Sequence, residues 1–181
     1  MNNKKTLINT EEMRTIIERL TFQIIEKCPV PSKTCIVGIR RRGVYIAQRI
    51  EECLKKHNKH DFETGTIDIT LYRDDLSEIS NMPEVHSSSI DFDLNGKTII
   101  LVDDVLFTGR TIRAALDALL DYGRPAKIML AVMVDRGHRE LPIQADFVGK
   151  HIPTSLDEVI HVEVREVDDT PDCVTISRRS R

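Results

Sequence analysis

The sequence contains no apolar run long enough to cross a bilayer: stretches such as 98–102 and 128–134 fall far short of the roughly 20 residues a membrane helix requires. The first residues hold two lysines but no apolar segment and no small-residue cleavage site, so no secretory signal is read there and the cytoplasm is the expected location. Cysteine is sparse and scattered. Cys28, Cys35, Cys53 and Cys173 form neither a C-x-x-C pair nor a metal spacing, and are expected to be reduced core residues. No sign of charge dominates: 26 Lys plus Arg against 29 Asp plus Glu leave −3, which supplies no global field for nucleic acid, so any RNA contact needs a local basic patch. What remains, 181 residues of which 40% are hydrophobic, describes a single soluble domain over 1–181 with a substantial core.

Helical and short apolar segments alternate, the sequence form of an α/β domain on a mostly parallel sheet, and no fixed-period repeat is present. Asn9 or Thr10 can cap a first helix. Glu11 and Glu12 suit its dipole, and Ile16, Ile17, Leu20 and Ile24 share one face until Pro29 and Pro31 close it. A buried strand is predicted at 35–39, then the loop Gly38-Ile39-Arg40-Arg41-Arg42-Gly43, then a helix carrying Val44, Ala47, Ile50 and Leu54. Alternation and β-branching predict a strand over 66–72, whereas 76–89 is polar, contains Pro83 and reads as a mobile loop. Asn95-Gly96 makes a turn, 98–102 a continuous apolar strand, and 111–122 a helix stopped by Gly123 and Pro125. A strand at 128–134 ends at Asp135-Arg136-Gly137-His138-Arg139, with shorter strands expected at 147–149, 159–164 and 174–176.

Two carboxylates, Asp103 and Asp104, close the apolar strand, and Thr108-Gly109-Arg110-Thr111 turns into the next helix. Free N–H groups in a glycine-containing turn at a helix N-terminus cradle an anion, and the hydroxyls of Thr108 and Thr111 add donors. Adjacent carboxylates accept from ribose hydroxyls, and ligands of open parallel sheets collect at the carboxyl ends of strands. The combination points to a sugar phosphate. Two commoner phosphate sites are excluded. Gly38 to Gly43 has Walker spacing but continues with Val44-Tyr45 where Lys and Ser or Thr are required, and no G-x-G-x-x-G follows a strand.

The segments Asp68-Ile69-Thr70-Leu71-Tyr72-Arg73-Asp74-Asp75, Val102-Asp103-Asp104-Val105-Leu106-Phe107-Thr108-Gly109-Arg110-Thr111 and Val134-Asp135-Arg136-Gly137-His138-Arg139-Glu140-Leu141-Pro142-Ile143 resemble the PyrR family. Its members are type I phosphoribosyltransferases that act as pyrimidine operon attenuators and uracil phosphoribosyltransferases. The likeness runs from the first helix to about residue 176. It implies an α/β fold with a mostly parallel central sheet flanked by helices under a small hood. It also implies Mg2+-dependent transfer of phosphoribosyl from phosphoribosyl pyrophosphate (PRPP) to uracil, giving UMP and pyrophosphate, in a homodimer or higher homo-oligomer. The Mg2+ would be carried by PRPP, with no metal site of the protein's own.

By the same likeness, Asp103 and Asp104 hold the ribose hydroxyls, and Thr108, Gly109, Arg110 and Thr111 cradle the 5′-phosphate, with Val105, Leu106 and Phe107 in the same nucleotide-binding motif. Arg41 and Arg42 match the pyrophosphate loop, where a basic turn suits a leaving group of high negative charge; a solvated helix entry is the plain alternative. Arg73 and 76–89 match a flexible loop that closes over the site and excludes water. Arg136 is placed to approach PRPP, its Mg2+-bound pyrophosphate or the base; a surface ion pair with Asp135 or Glu140 is the alternative. Phe107 departs from the wider superfamily, where many purine enzymes put an Asp directly before Thr-Gly. A dissociative reaction with little demand for a protein base is therefore expected, and a purine substrate is disfavoured.

The family's second activity is binding an mRNA leader hairpin, assisted by UMP, on a basic surface. This chain keeps Arg19, His138, Arg139 and Lys150 of that surface but has Glu18, Phe22 and Gln144 where the family has donors or positive charge. Each lost phosphate contact weakens binding and flattens its salt dependence, so hairpin binding is expected to be weak or absent. A nucleotide-sensing RNA regulator is the alternative to the enzyme. Phe22, near Leu20 and Ile24, also reads as a core or dimer contact, 178–181 as a solvated tail, and His57 and His60 as residues of a polar turn without further zinc ligands.

Overall fold

The structure is a computed structural model describing residues 4–58, 62–73 and 87–179. After β1 (Lys5–Ile8), α1 (Thr10–Lys27) begins in a capping box. The Asn9 side chain accepts from the Glu12 N–H at 3.0 Å while the Glu12 carboxylate accepts from the Asn9 N–H at 2.8 Å, so two orphan donors are satisfied reciprocally. The strands β2 (Thr34–Ile39), β3 (Glu63–Ile67), β4 (Thr98–Leu106), β5 (Lys127–Asp135) and β6 (Phe147–His151) form one parallel sheet in the order β3-β2-β4-β5-β6. β2 is buried along its whole length, which a parallel strand covered on both faces requires.

Side chains alternate across the sheet. Ile36, Ile100, Val102, Met129, Ala131 and Met133 pack with α1 and α2 (Arg42–Asn58), while Cys35, Val37, Ile99, Leu101 and Val132 pack with α3 (Arg110–Leu120). A second, antiparallel sheet in the order β1-β8-β7 joins β7 (Glu158–Glu163) and β8 (Cys173–Arg178) to β1, with α4 (Arg165–Asp168) between its last two strands. Ile8, Ile160, Val162, Val164 and Val174 tie this hood into the α1–α2 side of the core. No helix among the described residues is long and apolar enough to cross a membrane.

Several expectations are corrected. The strand predicted over 66–72 ends at Ile67, because the Asp68 carboxylate accepts from both the N–H (2.8 Å) and the hydroxyl of Thr70 and turns the chain into a 3-10 helix at Thr70–Tyr72. Of the predicted loop 76–89, residues up to 86 lie outside the described ones, and Ser89 pairs with Thr66 in an antiparallel bridge. Phe22 is not a core residue: it is 51% exposed, with its ring 4.8 Å from that of His57, which belongs to α2 rather than to a turn. His60 lies outside the described residues. Cys28 and Cys35 are buried as expected, but Cys53 and Cys173 are only partly so; all four are free. Arg178 ends β8 and the Arg179 N–H donates to the Asp157 carbonyl at 2.8 Å, so these two residues are not a free tail.

The chain leaves β2 toward β3 on one side and returns to β4 on the other, which makes the carboxyl ends of β2 and β4 a topological switch point. Gly43 lets the turn after β2 lie directly on β4: a Cβ there would stand 2.5 Å from the Val102 carbonyl oxygen and 3.2 Å from Asp103 Cα. We expect Gly43→Ala to force the two apart and cost about 1–3 kcal/mol, measured as a lower midpoint in urea unfolding; an unchanged midpoint would refute the close approach.

Candidate functional site

β4 pairs with both β2 and β5 and carries its acidic pair to the crevice. Asp103 is 5% exposed and accepts from the Asp104 N–H at 2.9 Å; Asp104 is half-buried and accepts from the Val105 N–H at 2.9 Å. Burial and the adjacent Asp104 push the Asp103 carboxyl well above the ordinary carboxylate range. Neither carboxylate sits in an ion pair among the described residues.

After Leu106 the chain turns through Phe107, Thr108 and Gly109 into α3. Gly109 stands before the helix at φ 96°, a left-handed conformation that favours glycine, with Leu141 and Ile143 packed against it. The Arg110 N–H donates to the Thr108 hydroxyl at 3.3 Å, and the Arg113 N–H to the Gly109 carbonyl at 2.9 Å. The next first-turn N–H groups, of Thr111 and Ile112, have no carbonyl one turn earlier, an arrangement that suits an anion. Arg110 and Thr111 are exposed, and the Arg110 guanidinium bonds Glu140 at 2.7 Å.

The basic turn after β2 divides its arginines. Arg40 and Arg41 are exposed, and neither guanidinium has a partner among the described residues; the peptide between them is cis. Arg42 is forked onto Asp168 of α4, with Nε to Oδ2 at 3.0 Å and Nη2 to Oδ1 at 2.6 Å. Hydrogen bonding to Asp168 and the charges of Asp168, Asp104 and Glu163 raise the Arg42 pKa against a lowering by burial. Arg73 is exposed at the end of the 3-10 turn, before the residues that are not described.

Arg136 does not form the surface ion pair that was its alternative reading: Asp135 is taken by Arg139 and Glu140 by Arg110. Arg136 is 4% exposed, pairs with no carboxylate among the described residues, and donates to the Thr154 hydroxyl (3.1 Å) and to the carbonyls of Ser155 (3.3 Å) and Glu158 (2.7 Å). Its guanidinium lies 4.1 Å from the centre of the Phe107 ring. Of the four residues matched to an RNA surface, two bond the protein's own backbone, Arg19 while exposed and Arg139 partly buried. Arg19 on α1 donates to the carbonyls of Val148 (3.4 Å) and Gly149 on edge strand β6, and Arg139 bonds backbone carbonyls and Asp135. His138 is exposed, with Nε2 2.6 Å from the Thr154 carbonyl oxygen, and Lys150 is exposed near the end of β6.

The chain matches the phosphoribosyl transferase domain family over residues 4–168. It is 53% identical over 168 residues to a bifunctional protein PyrR of Caldicellulosiruptor bescii, covering 93% of this chain and 92% of that protein. To a bifunctional protein PyrR of Thermus thermophilus it is 54% identical over 168 residues, 93% of each. The chain belongs to the PyrR family of phosphoribosyltransferases. Its fold is also similar to that of a hypoxanthine phosphoribosyltransferase of Trypanosoma cruzi, with a TM-score of 0.72 at 17% identity over 97% of both chains, a likeness that speaks for the fold alone. The expected fold and a phosphoribosyltransferase activity are thereby borne out.

Residues that the sequence reading passed over include Asp168, which lies 126 positions from Arg42 with no motif of its own, and the 154–158 turn that receives Arg136. For Arg139 a signal existed: Asp135 stands four residues before it and bonds it at 2.6 Å.

Because the folded state raises the Asp103 pKa, the contribution of this carboxyl to stability is fully present below the ordinary carboxylate pKa and is lost as pH rises through the raised one. Asp103→Asn keeps the acceptor for the Asp104 N–H and removes the charge. It should therefore raise Tm at pH 7 by more than at pH 4; an equal or opposite difference would contradict a disfavoured buried carboxylate.

Proposed function

We propose that this chain is a uracil phosphoribosyltransferase that converts uracil and PRPP to UMP and pyrophosphate. The observation that carries this reading is the juxtaposition, on one strand and the turn after it, of an unpaired acidic dyad and a glycine-shaped helix N-terminus. In this reading Asp103 and Asp104 accept from the ribose hydroxyls, and 108–111 hold the 5′-phosphate through backbone N–H groups and hydroxyls. Arg41, whose guanidinium is unpaired among the described residues, faces the pyrophosphate, and Arg42 joins it when it leaves Asp168. Arg73, exposed at the end of the 3-10 turn, faces the bound substrates.

In the transfer itself, the bond from ribose C1 to the pyrophosphate oxygen breaks and its electron pair leaves with pyrophosphate. Uracil N1 forms the new bond to C1 and loses its proton to water or to the departing pyrophosphate. Phe107 supplies no carboxylate, so the protein acts mainly by stabilising separated charge, with the acidic dyad beside the ribosyl cation and the arginines beside the leaving group. Among the described residues no three His, Cys, Asp or Glu side chains form a metal-binding group. Asp103 and Asp104, in no ion pair among the described residues, would help hold a Mg2+ brought on PRPP. When bound, that ion neutralises charge on the pyrophosphate. We place the protein in the cytoplasm, where its free cysteines stay reduced, as a homodimer or higher homo-oligomer.

The RNA-binding reading is disfavoured by the local chemistry. Arg19 and Arg139 spend their guanidinium groups on backbone carbonyls, Glu18 lies 3.9 Å from Arg14, and Phe22 presents an uncharged ring. A pyrimidine-operon leader hairpin should bind weakly or not at all; submicromolar, salt-dependent affinity enhanced by UMP would reverse that expectation.

The direct test is PRPP- and Mg2+-dependent conversion of labelled uracil to UMP, with hypoxanthine, guanine and orotate as controls. Uracil alone should turn over, and Asp103→Asn and Asp104→Asn should each lower kcat/KM by about 10²-fold or more. Turnover of another base would overturn the substrate assignment, and near-normal activity in both variants would overturn the site.

A further inference from the structure

Two arginines on one short segment, Arg136 and Arg139, reach in opposite directions, and neither is open to substrate. Arg139 has every nitrogen of its guanidinium engaged: Nε donates to the Ile143 carbonyl (2.9 Å), Nη1 to the carbonyls of Phe107 (2.8 Å) and Gly137 (3.2 Å), and Nη2 to Asp135 Oδ2 (2.6 Å). Asp135 is fixed in turn, since its Oδ1 accepts from the Gly137 N–H at 3.0 Å. Burial raises the Asp135 pKa, but the bonds from Arg139 and Gly137 outweigh it and hold the group ionised. The same segment grips the phosphate turn at a second point, where the N–H groups of Glu140 (2.9 Å) and Leu141 (3.1 Å) both donate to the Thr108 carbonyl.

Arg136 works at the other end. Its donors hold the 154–158 turn of the hood, while its guanidinium lies on one face of Phe107 and the His138 ring meets Phe107 at 5.9 Å, nearly edge-on. The turn is also braced internally, the Ser155 N–H donating to the Glu158 carboxylate at 2.8 Å, and at its tip Leu156 is 66% exposed.

We infer that Arg139 and Arg136 are positioning residues of one strap, 135–143, in which Arg139 sets the phosphate turn 106–110 and Arg136 sets the hood turn 154–158 that walls the base side. This assignment rests on the proposed phosphoribosyl transfer and adds the two residues that hold its halves in register. Arg139, matched to an RNA surface by family likeness, is on this account a brace of the catalytic turn. Its replacement would impair nucleotide binding whether or not RNA is present. Arg136 acts through the turn and through Phe107, without touching the reacting atoms.

The test compares Arg139→Gln and Arg139→Lys with Arg136→Gln and Arg136→Lys, reading KM for PRPP and for uracil separately, together with amide hydrogen exchange of the two turns. Arg139→Gln should raise KM for PRPP about tenfold and leave KM for uracil within about twofold, with Arg136→Gln showing the reverse. Each lysine variant should recover part of the loss, because it keeps the charge and donors on a single nitrogen but cannot fork. Exchange should quicken at 107–111 only in the Arg139 variants and at 154–158 only in the Arg136 variants. Equal rises in both KM values in all four variants, or equal exchange at both turns, would overturn the assignment. If the wild-type protein turns over no base, the transferase reading falls while the exchange pattern still decides the strap.

Discussion

Strand β4 pairs with β2 on one side and with β5 on the other, and that double pairing lets it end in a buried carboxylate. A charge-bearing group so deep in the protein is costly unless something later offsets it. Here the protein supplies backbone N–H groups and the more distant charge of Arg42 but no ion pair, since Asp103 and Asp104 stand outside any ion pair among the described residues. The neighbouring elements follow from that placement: Gly43 brings the basic turn against β4, Gly109 starts α3 immediately after it, and the strap from β5 closes the floor. A polyhydroxylated, multiply phosphorylated ligand supplies donors for the acids and acceptors for the turns at once.

The arginines around this corner look equivalent in sequence but are sorted by the fold into two populations. Arg42, Arg136 and Arg139 are bound to protein acceptors and act as internal fasteners, each satisfying carboxylates or carbonyls that would otherwise be left bare. Arg40 and Arg41 are exposed, with no guanidinium partner among the described residues. Guanidinium suits both tasks because its planar fork matches carboxylate, carbonyl pair and phosphate alike. Counting positive residues near a motif therefore overstates how much charge a ligand meets.

The frame of the molecule was readable because its signals are local. Continuous apolar strands at β4 and β5, the Asn9 cap, and the Thr-Gly entry to α3 each carry their own chemistry within a few residues. The candidate acids and the phosphate turn were legible for the same reason. What escaped was set at long range. β1 is four residues that become a strand only by pairing with β8; Asp168 matters only because Arg42 reaches it; and Arg136 gave two plausible sequence readings, neither of which included a turn 18 to 22 residues further on. Phe22 misled in the opposite sense: it is near Leu20 and Ile24 in sequence, but an offset of two residues from each places it off their helical face, where its ring stands against His57.

The hood joins the first strand to the last, with Lys5 opposite Ile176. Pairing across that sequence distance must await the synthesis of β8, so on a ribosome the parallel sheet can be complete through β6 while β1 still lacks its neighbour. Arg42 and Arg136 would meanwhile lack their partners in α4 and the 154–158 turn. Chain order thus lets the parallel sheet form before its roof, because the 154–158 turn, α4 and β8 all follow β6 in the sequence.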